Sequence, residues 1–221
     1  MSNKMKIIQF RKLSGPNYWS LRPCIQMLLD IGELEELPTN KIDGFYDRFT
    51  EALPSIHDHR CSIGKAGGFF QRVEEGTWMG HVVEHVALEL QTLAGMDTGF
   101  GRTRETGDKG IYHVVFSYIV SEVGKRAGEL SVDLCEKLIS GDKYDLDAIV
   151  LELKELRERY KMGPSTASIV EEAVSRGIPF TRLNRSSLVQ LGYGTNQKRI
   201  RATITGETSS LAVDFAGDKW E

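Results

Sequence analysis

The strongest hydrophobic pattern in the chain covers residues 77–95, in the run TWMGHVVEHVALELQTLAG. Apolar residues recur there every three or four positions, as expected for an α-helix that advances about 100° per residue. A polar stripe interrupts them along one side and consists of His81, Glu84, His85, Glu89 and Thr92. Because the remaining circumference is apolar, we expect this helix to be buried on most sides. The polar stripe then needs partners inside the protein, since unpaired polar groups are costly to bury.

Shorter patterns predict the elements around this helix. Strands are predicted at residues 6–13, 24–31 and 111–119, and helices at residues 43–53, 69–74, 121–139 and 146–160. Asp43 is the predicted cap of the first of these helices, and residues 95–110 are predicted to form a glycine-rich loop. Together the patterns predict the α+β class, with a small, mostly antiparallel sheet packed against helices that include the buried one.

The pattern changes at the Met-Gly-Pro run of residues 162–164. Beyond it we predict a helix capped by Ser165 or Ser168, a strand at residues 178–183, a hairpin around residues 192–194 and a short helix at residues 208–216. This partial βα unit has about 60 residues, which is small for an independent core. We therefore expect one domain at residues 1–161 and a truncated second one at residues 162–221. The printed chain ends soon afterwards without an evident closing element, as expected of a fragment of a longer enzyme.

Composition narrows the class of protein. The 221 residues are 40% hydrophobic and 27% charged, which is ordinary for a globular protein, and a net charge of −3 gives no general attraction to nucleic acid. No apolar run reaches the roughly 18 to 20 residues that a membrane helix needs, and the N-terminus does not resemble a signal peptide. Three widely spaced cysteines favour a reduced, cytoplasmic setting over a disulfide framework.

The polar stripe contains the pattern His81-x-x-Glu84-His85. Two imidazoles one helical turn apart can reach the same metal ion, and the glutamate between them can act as a general base, as in the inverted zinc-hydrolase motif. Zinc at such a site takes a third protein ligand and keeps one position open. The alternative interpretation is a buried, hydrogen-bonded cluster that ties helices together, and the motif alone does not decide between the two.

Two other stretches contain residues with binding chemistry. His57, His59 and Cys61 lie within five residues of each other, but their spacing matches no common zinc motif, so polar or packing roles are favoured. The glycine-rich loop at residues 95–110 lacks the Gly-Lys-Ser/Thr of a phosphate-binding loop. Its cations Arg102, Arg104 and Lys109 can hold carboxylates, and a solvated surface loop is the alternative.

Several long runs are similar to a known family. They are GPNYWSLRP, EALPSIHDHRCS, GTWMGHVVEHVALELQTLAGMDTGFGRTRETG and the tail that begins GPSTASIVEEAVSRG. These runs resemble cyanophycin synthetases, with an N-terminal domain up to residue 161 and the opening of an ATP-grasp domain from residue 162. The resemblance implies a parent ligase, a homo-oligomer that uses ATP and magnesium to polymerise aspartate and arginine into cyanophycin. Its ATP and magnesium sites would lie downstream of residue 221, so this chain alone is not expected to ligate.

The resemblance also implies that the N-terminal domain engages the polymer. Within it, the histidine motif is similar to that of insulinase-like metallopeptidases, whose third metal ligand is a glutamate on a later helix. Glu122, in the first turn of the helix predicted at residues 121–139, matches that order. This implies a zinc site with His81 and His85 as ligands, Glu122 as the third ligand and Glu84 as the general base.

Three hypotheses for the chain follow. The first is a module that binds cyanophycin through Arg102, Arg104 and Lys109 and keeps it near the ligase sites by tethering. The second is a zinc hydrolase that cuts the polymer and so creates new ends for the ligase to extend. The third is a structural or oligomerisation domain with no chemistry of its own.

Overall fold

The computed structural model describes residues 4–209 and 212–214. The chain divides into two compact units, of which the first comprises Met1–Leu13 and Asn17–Arg159 and the second Ser14–Pro16 and Tyr160–Glu221. None of the helices within the described ranges has the length and the apolar character needed to cross a bilayer.

The first unit is built on a four-stranded antiparallel sheet. Its strands are β1 (Lys6–Leu13), β2 (Cys24–Asp30), β3 (Gly101–Glu105) and β4 (Ile111–Ser117), and their order across the sheet is β1-β2-β4-β3. The two central strands carry most of the buried apolar residues, as expected for strands covered on their faces. β1 and β3 are therefore the two edges of this sheet.

Helices cover the sheet of the first unit. They are α1 (Phe45–Ala52), α2 (Gly68–Glu75), α3 (Met79–Leu93), α4 (Ser121–Ser140) and α5 (Leu146–Tyr160), joined in part by short 3₁₀ turns at Gly32–Glu36, Thr39–Lys41, Pro54–Asp58 and Cys61–Ile63. In α3 every residue from Met79 to Gln91 is buried except His81. α3 packs against α4, β3 and β4, so the prediction of a buried helix that carries the polar stripe is confirmed.

Two glycines let α4 approach the sheet closely. A Cβ atom at Gly124 would lie 2.7 Å from the Cβ of Tyr118, and one at Gly128 would lie 2.9 Å from the Cζ of Phe116. Contacts that short are not tolerated in a packed interior, where side chains already fill the space at crystal-like density. Glycine at both positions therefore sets the distance between this helix and the strands beneath it.

The described part of the second unit contains a helix and a second antiparallel sheet. Its elements are α6 (Pro164–Ser175), β5 (Phe180–Arg182), β6 (Leu188–Leu191), β7 (Lys198–Arg201) and β8 (Ile204–Thr205), with the strands in sequential order. Val170, Val189 and Ile200 form its small buried cluster. The α+β class predicted from the sequence is confirmed.

Local details of the predictions need correction. The glycine-rich segment is not only a loop, because it contains the edge strand β3. Asp43 does not cap α1, which begins after Gly44 in a left-handed conformation, and neither predicted serine caps α6, which begins with Pro164 after Gly163. The predicted helix at residues 208–216 and the chain end beyond it fall largely outside the described residues, of which only 212–214 are helical there.

Candidate metal centre

Three side chains with metal-binding atoms come together at the surface of α3. One ligand atom from each of Cys61, His81 and His85 lies within 4.8 Å of the other two. The histidines are one turn apart on α3, and the cysteine comes from the short turn Cys61–Ile63. Cys61 Sγ lies 3.4 Å from His81 Nε2. A thiol and two imidazoles form a donor set that suits zinc, so these residues fit a metal site.

The backbone at Cys61 supports a special role for this residue. Its φ angle is 51°, a left-handed value that residues other than glycine rarely adopt. Such strain persists where the surrounding structure enforces it, and it is concentrated at functional sites. From the sequence alone, Cys61 is expected to have an ordinary polar or packing role, because its spacing from His57 and His59 matches no zinc motif. Its relevant neighbours are His81 and His85 of α3, which are close to Cys61 in space and not in sequence.

Glu122 is not part of this group among the described residues. It lies in the first turn of α4, where its carboxylate accepts a hydrogen bond of 2.8 Å from the hydroxyl of Ser121. Its assignment depended on an order of metal helix, one strand and a second helix, whereas in the fold two strands, β3 and β4, separate α3 from α4. Cys61, and not Glu122, supplies the third potential ligand atom of this group.

The two histidines are held as neutral rings. Burial lowers the pKa of His81 to about 4, with a further contribution from the nearby guanidinium of Arg72. Burial also lowers the pKa of His85 well below its usual value. Phe69 stacks on His85 with 3.6 Å between the ring centroids and meets the ring of His81 edge-on. Neutral imidazoles in fixed orientations are the form that binds metal ions.

Glu84 lies beside this group, as the motif predicted. Its carboxylate is buried, accepts a 2.6 Å hydrogen bond from Thr103 Oγ1 and lies 4.0 Å from His85 Nε2. Burial raises the pKa of Glu84 to about 7, against the opposing effects of Thr103, Arg102 and Arg104. A carboxyl group with a pKa near neutral pH can both accept and release a proton there, which is the property of a general acid–base.

The group opens into a groove of about 1070 Å³ that is bounded on one side by β3. Arg102 and Arg104 line the groove and are exposed. Arg72 lines it as well, and its buried Nε has no hydrogen-bond partner in the described structure. Lys109 is not among the lining residues and pairs with Glu36 near the turn between β3 and β4.

Sequence comparisons identify the family of the chain. The cyanophycin synthase-like N-terminal domain matches residues 26–140, a range that contains the ligand group, Glu84 and β3. The chain belongs to this family. It is 50% identical to the cyanophycin synthetase of Geminocystis herdmanii, 51% to that of Trichormus variabilis and 49% to that of a Synechocystis species, each over 220 residues.

These alignments cover 97% of this chain but only 24–25% of each relative. The chain therefore spans about a quarter of the length of the curated relatives that it matches. The resemblance found in the sequence is confirmed at the level of the family.

Gly101 provides a test of the packing around Glu84. A Cβ atom at this position would lie 2.1 Å from Glu84 Oε1, so Gly101→Ala should displace the carboxylate and lower the free energy of unfolding by about 1 to 3 kcal/mol. Gly107→Ala is the matched control in the turn after β3, because a Cβ atom there meets nothing within 4 Å. Urea denaturation followed by circular dichroism measures both variants. Equal stabilities of the two variants would contradict the close packing.

Proposed function

We propose that this chain is the N-terminal part of a cyanophycin synthetase, in which it binds the polymer and cuts it at a zinc site. The main support is one observation: Cys61, His81 and His85 converge beside a buried glutamate at an open groove. Cutting would supply new polymer ends to the ligase, which in the parent would be a cytoplasmic homo-oligomer that uses ATP and magnesium. The division of the chain near Arg159 supports a second domain, the beginning of an ATP-grasp domain, from residue 162.

The residues of the site suit amide hydrolysis. Zinc held by Cys61, His81 and His85 would supply a Lewis acid and would lower the pKa of water. Glu84 is placed to take a proton from water in the groove and to pass it to the nitrogen that leaves when a backbone amide is cut. Its buried position, 4.0 Å from His85 Nε2, allows it to serve the same reaction centre as the ligands.

The edge strand β3 suggests how an extended polymer would bind. At the two ends of the β3–β4 pairing, the N–H of Ser117 donates to the carbonyl of Phe100 and the N–H of Thr106 donates to that of Ile111. Because hydrogen-bonded and non-hydrogen-bonded pairs alternate along antiparallel strands, these two bonds determine which residues of β3 have their backbone groups directed at β4. The N–H and C=O groups of Gly101, Thr103 and Glu105 therefore point away from β4, towards the free edge. An extended backbone can pair with such an edge, and its charged side chains would then meet those of the groove.

Charge supports the choice of polymer. Arg102 and Arg104 lie on β3 next to the residues whose backbone faces the free edge, so an extended chain paired with that edge would lie close to them. Cyanophycin has a poly-aspartate backbone with arginine on its side chains, and it presents both carboxylates and guanidinium groups. Glu105 and Asp58 also line the groove, so it offers partners of both signs.

The first test concerns the ligands. Cys61→Ala should weaken zinc binding strongly, because it removes a direct ligand. The expected loss is larger than the roughly 10- to 100-fold that follows when a residue hydrogen-bonded to a ligand is removed. Glu122→Gln should leave the affinity unchanged. Competition with a chromophoric chelator measures both. Loss of zinc in Glu122→Gln together with retention in Cys61→Ala would restore Glu122 as the third ligand.

The second test concerns cleavage. Pure chain supplied with zinc should shorten cyanophycin, and Glu84→Gln should reduce the rate by about 10²- to 10⁴-fold while keeping its zinc, because it removes the general base. Glu51→Gln, an exposed carboxylate of α1 outside the groove, is the control and should retain cleavage. Polymer length is followed by gel electrophoresis with and without a chelator. Absence of shortening by the unaltered chain would favour a structural domain whose polar stripe is a buried cluster.

The third test concerns binding. Arg102→Ala combined with Arg104→Ala should weaken association with cyanophycin, and the association should fall as salt rises because exposed charge pairs are screened within about 10 Å at 0.1 M salt. Arg11→Ala with Lys12→Ala removes the same charge from the opposite edge of the sheet and should bind normally. Co-sedimentation with the polymer measures both. Equal binding by the two double variants would exclude β3 as the contact surface.

A further inference from the structure

A line of four hydrogen-bonded side chains runs from the exposed Ser55 through Glu89 and His59 to the buried His85. His59 joins Glu89 to His85, with its Nδ1 2.9 Å from Nδ1 of His85 and its Nε2 2.8 Å from Oε2 of Glu89. The other oxygen of Glu89 accepts a hydrogen bond from the hydroxyl of Ser55. Glu89 and His85 are buried on α3 one turn apart, and the other two residues come from the segment that precedes Cys61.

For neutral imidazole rings, hydrogen-bonding rules fix where the protons lie. An ionised carboxylate only accepts hydrogen bonds, so His59 must donate to Glu89 through its Nε2–H. The Nδ1 of a neutral His59 is then an acceptor. The proton between the two Nδ1 atoms therefore belongs to His85, and Nε2 of His85 keeps its lone pair.

We propose that His59 and Glu89 are positioning residues of the metal centre, which fix His85 in the Nδ1–H tautomer and direct its Nε2 lone pair to the metal. This inference rests on the zinc site proposed above. Metal-binding histidines commonly donate their second N–H to a carboxylate or carbonyl, which orients the ring and raises its basicity. Here a second histidine transmits the effect of the carboxylate, since Glu89 itself contacts His59 and not His85.

His81, the other histidine of the site, is not linked to a carboxylate in this way among the described residues. His81 Nδ1 lies 3.0 Å from the hydroxyl of Thr77, and a hydroxyl can either donate or accept. Thr77 is therefore compatible with both tautomers of His81, whereas the carboxylate of Glu89 permits only one arrangement at His59. The control of tautomer is specific to His85, and it should be visible at that residue alone.

The experiment compares variants of the full 221-residue chain. His59→Phe keeps an aromatic ring but removes both nitrogens, and Glu89→Leu removes the acceptor. Each should lower zinc affinity by roughly 10- to 100-fold. Glu89→Gln should restore most of the affinity, because its amide oxygen can accept from His59 while its NH₂ donates to Ser55. Long-range ¹H–¹⁵N NMR spectra of the metal-free chain should show the Nδ1–H tautomer of His85 in the unaltered chain and in Glu89→Gln.

Gln91→Leu is the matched control for lost stability. Gln91 is a fully buried polar residue of α3 that bonds to the carbonyls of Ala87 and Ser117, outside the line to His85. Gln91→Leu should destabilise the fold without changing zinc affinity or the tautomer of His85. Zinc bound equally by the unaltered chain, His59→Phe and Glu89→Leu would overturn this inference and leave the zinc site standing. Failure of the unaltered chain to bind zinc would overturn both.

Discussion

The first unit depends on one constraint, which is the burial of a polar stripe on a helix that is enclosed on nearly all sides. Glu84, His85 and Glu89 are each less than a tenth exposed on α3. In a medium of low dielectric constant, each of these groups must be hydrogen-bonded or charge-paired, and satisfied networks are correspondingly rigid. The partners come from two segments, β3 on one side and the chain between α1 and α2 on the other. The stripe therefore determines what these segments must contain.

Residues around the polar stripe depart from regular packing and backbone geometry. Gly101 has no side chain because the carboxylate of Glu84 occupies that space, and Cys61 adopts a left-handed backbone conformation. Phe69 uses its ring to cover His85 and is unavailable for other core contacts on that face. Departures from regular packing concentrated around one cluster are expected at functional sites, where local rules are broken for the sake of the site.

Family membership and geometry address different questions. The comparisons place the chain among cyanophycin synthetases, but through only about a quarter of their length. The convergence of a thiol, two neutral imidazoles and a buried carboxyl group beside an edge strand is the feature that favours hydrolysis of an extended polymer over a purely structural role. Function is argued from that site, because a fold by itself supports many functions.

The sequence by itself determined α3, its polar stripe, the side of the helix on which His81, Glu84 and His85 lie, and the α+β class. These features follow from periodicity, which is local and repeats along the chain. The tertiary structure alone brought Cys61 and His59 to the stripe from 20 or more positions away, turned part of a glycine-rich segment into β3, and left Lys109 outside the groove. Such pairings depend on how elements pack. A sequence pattern records the repeat within each element, but not which elements meet.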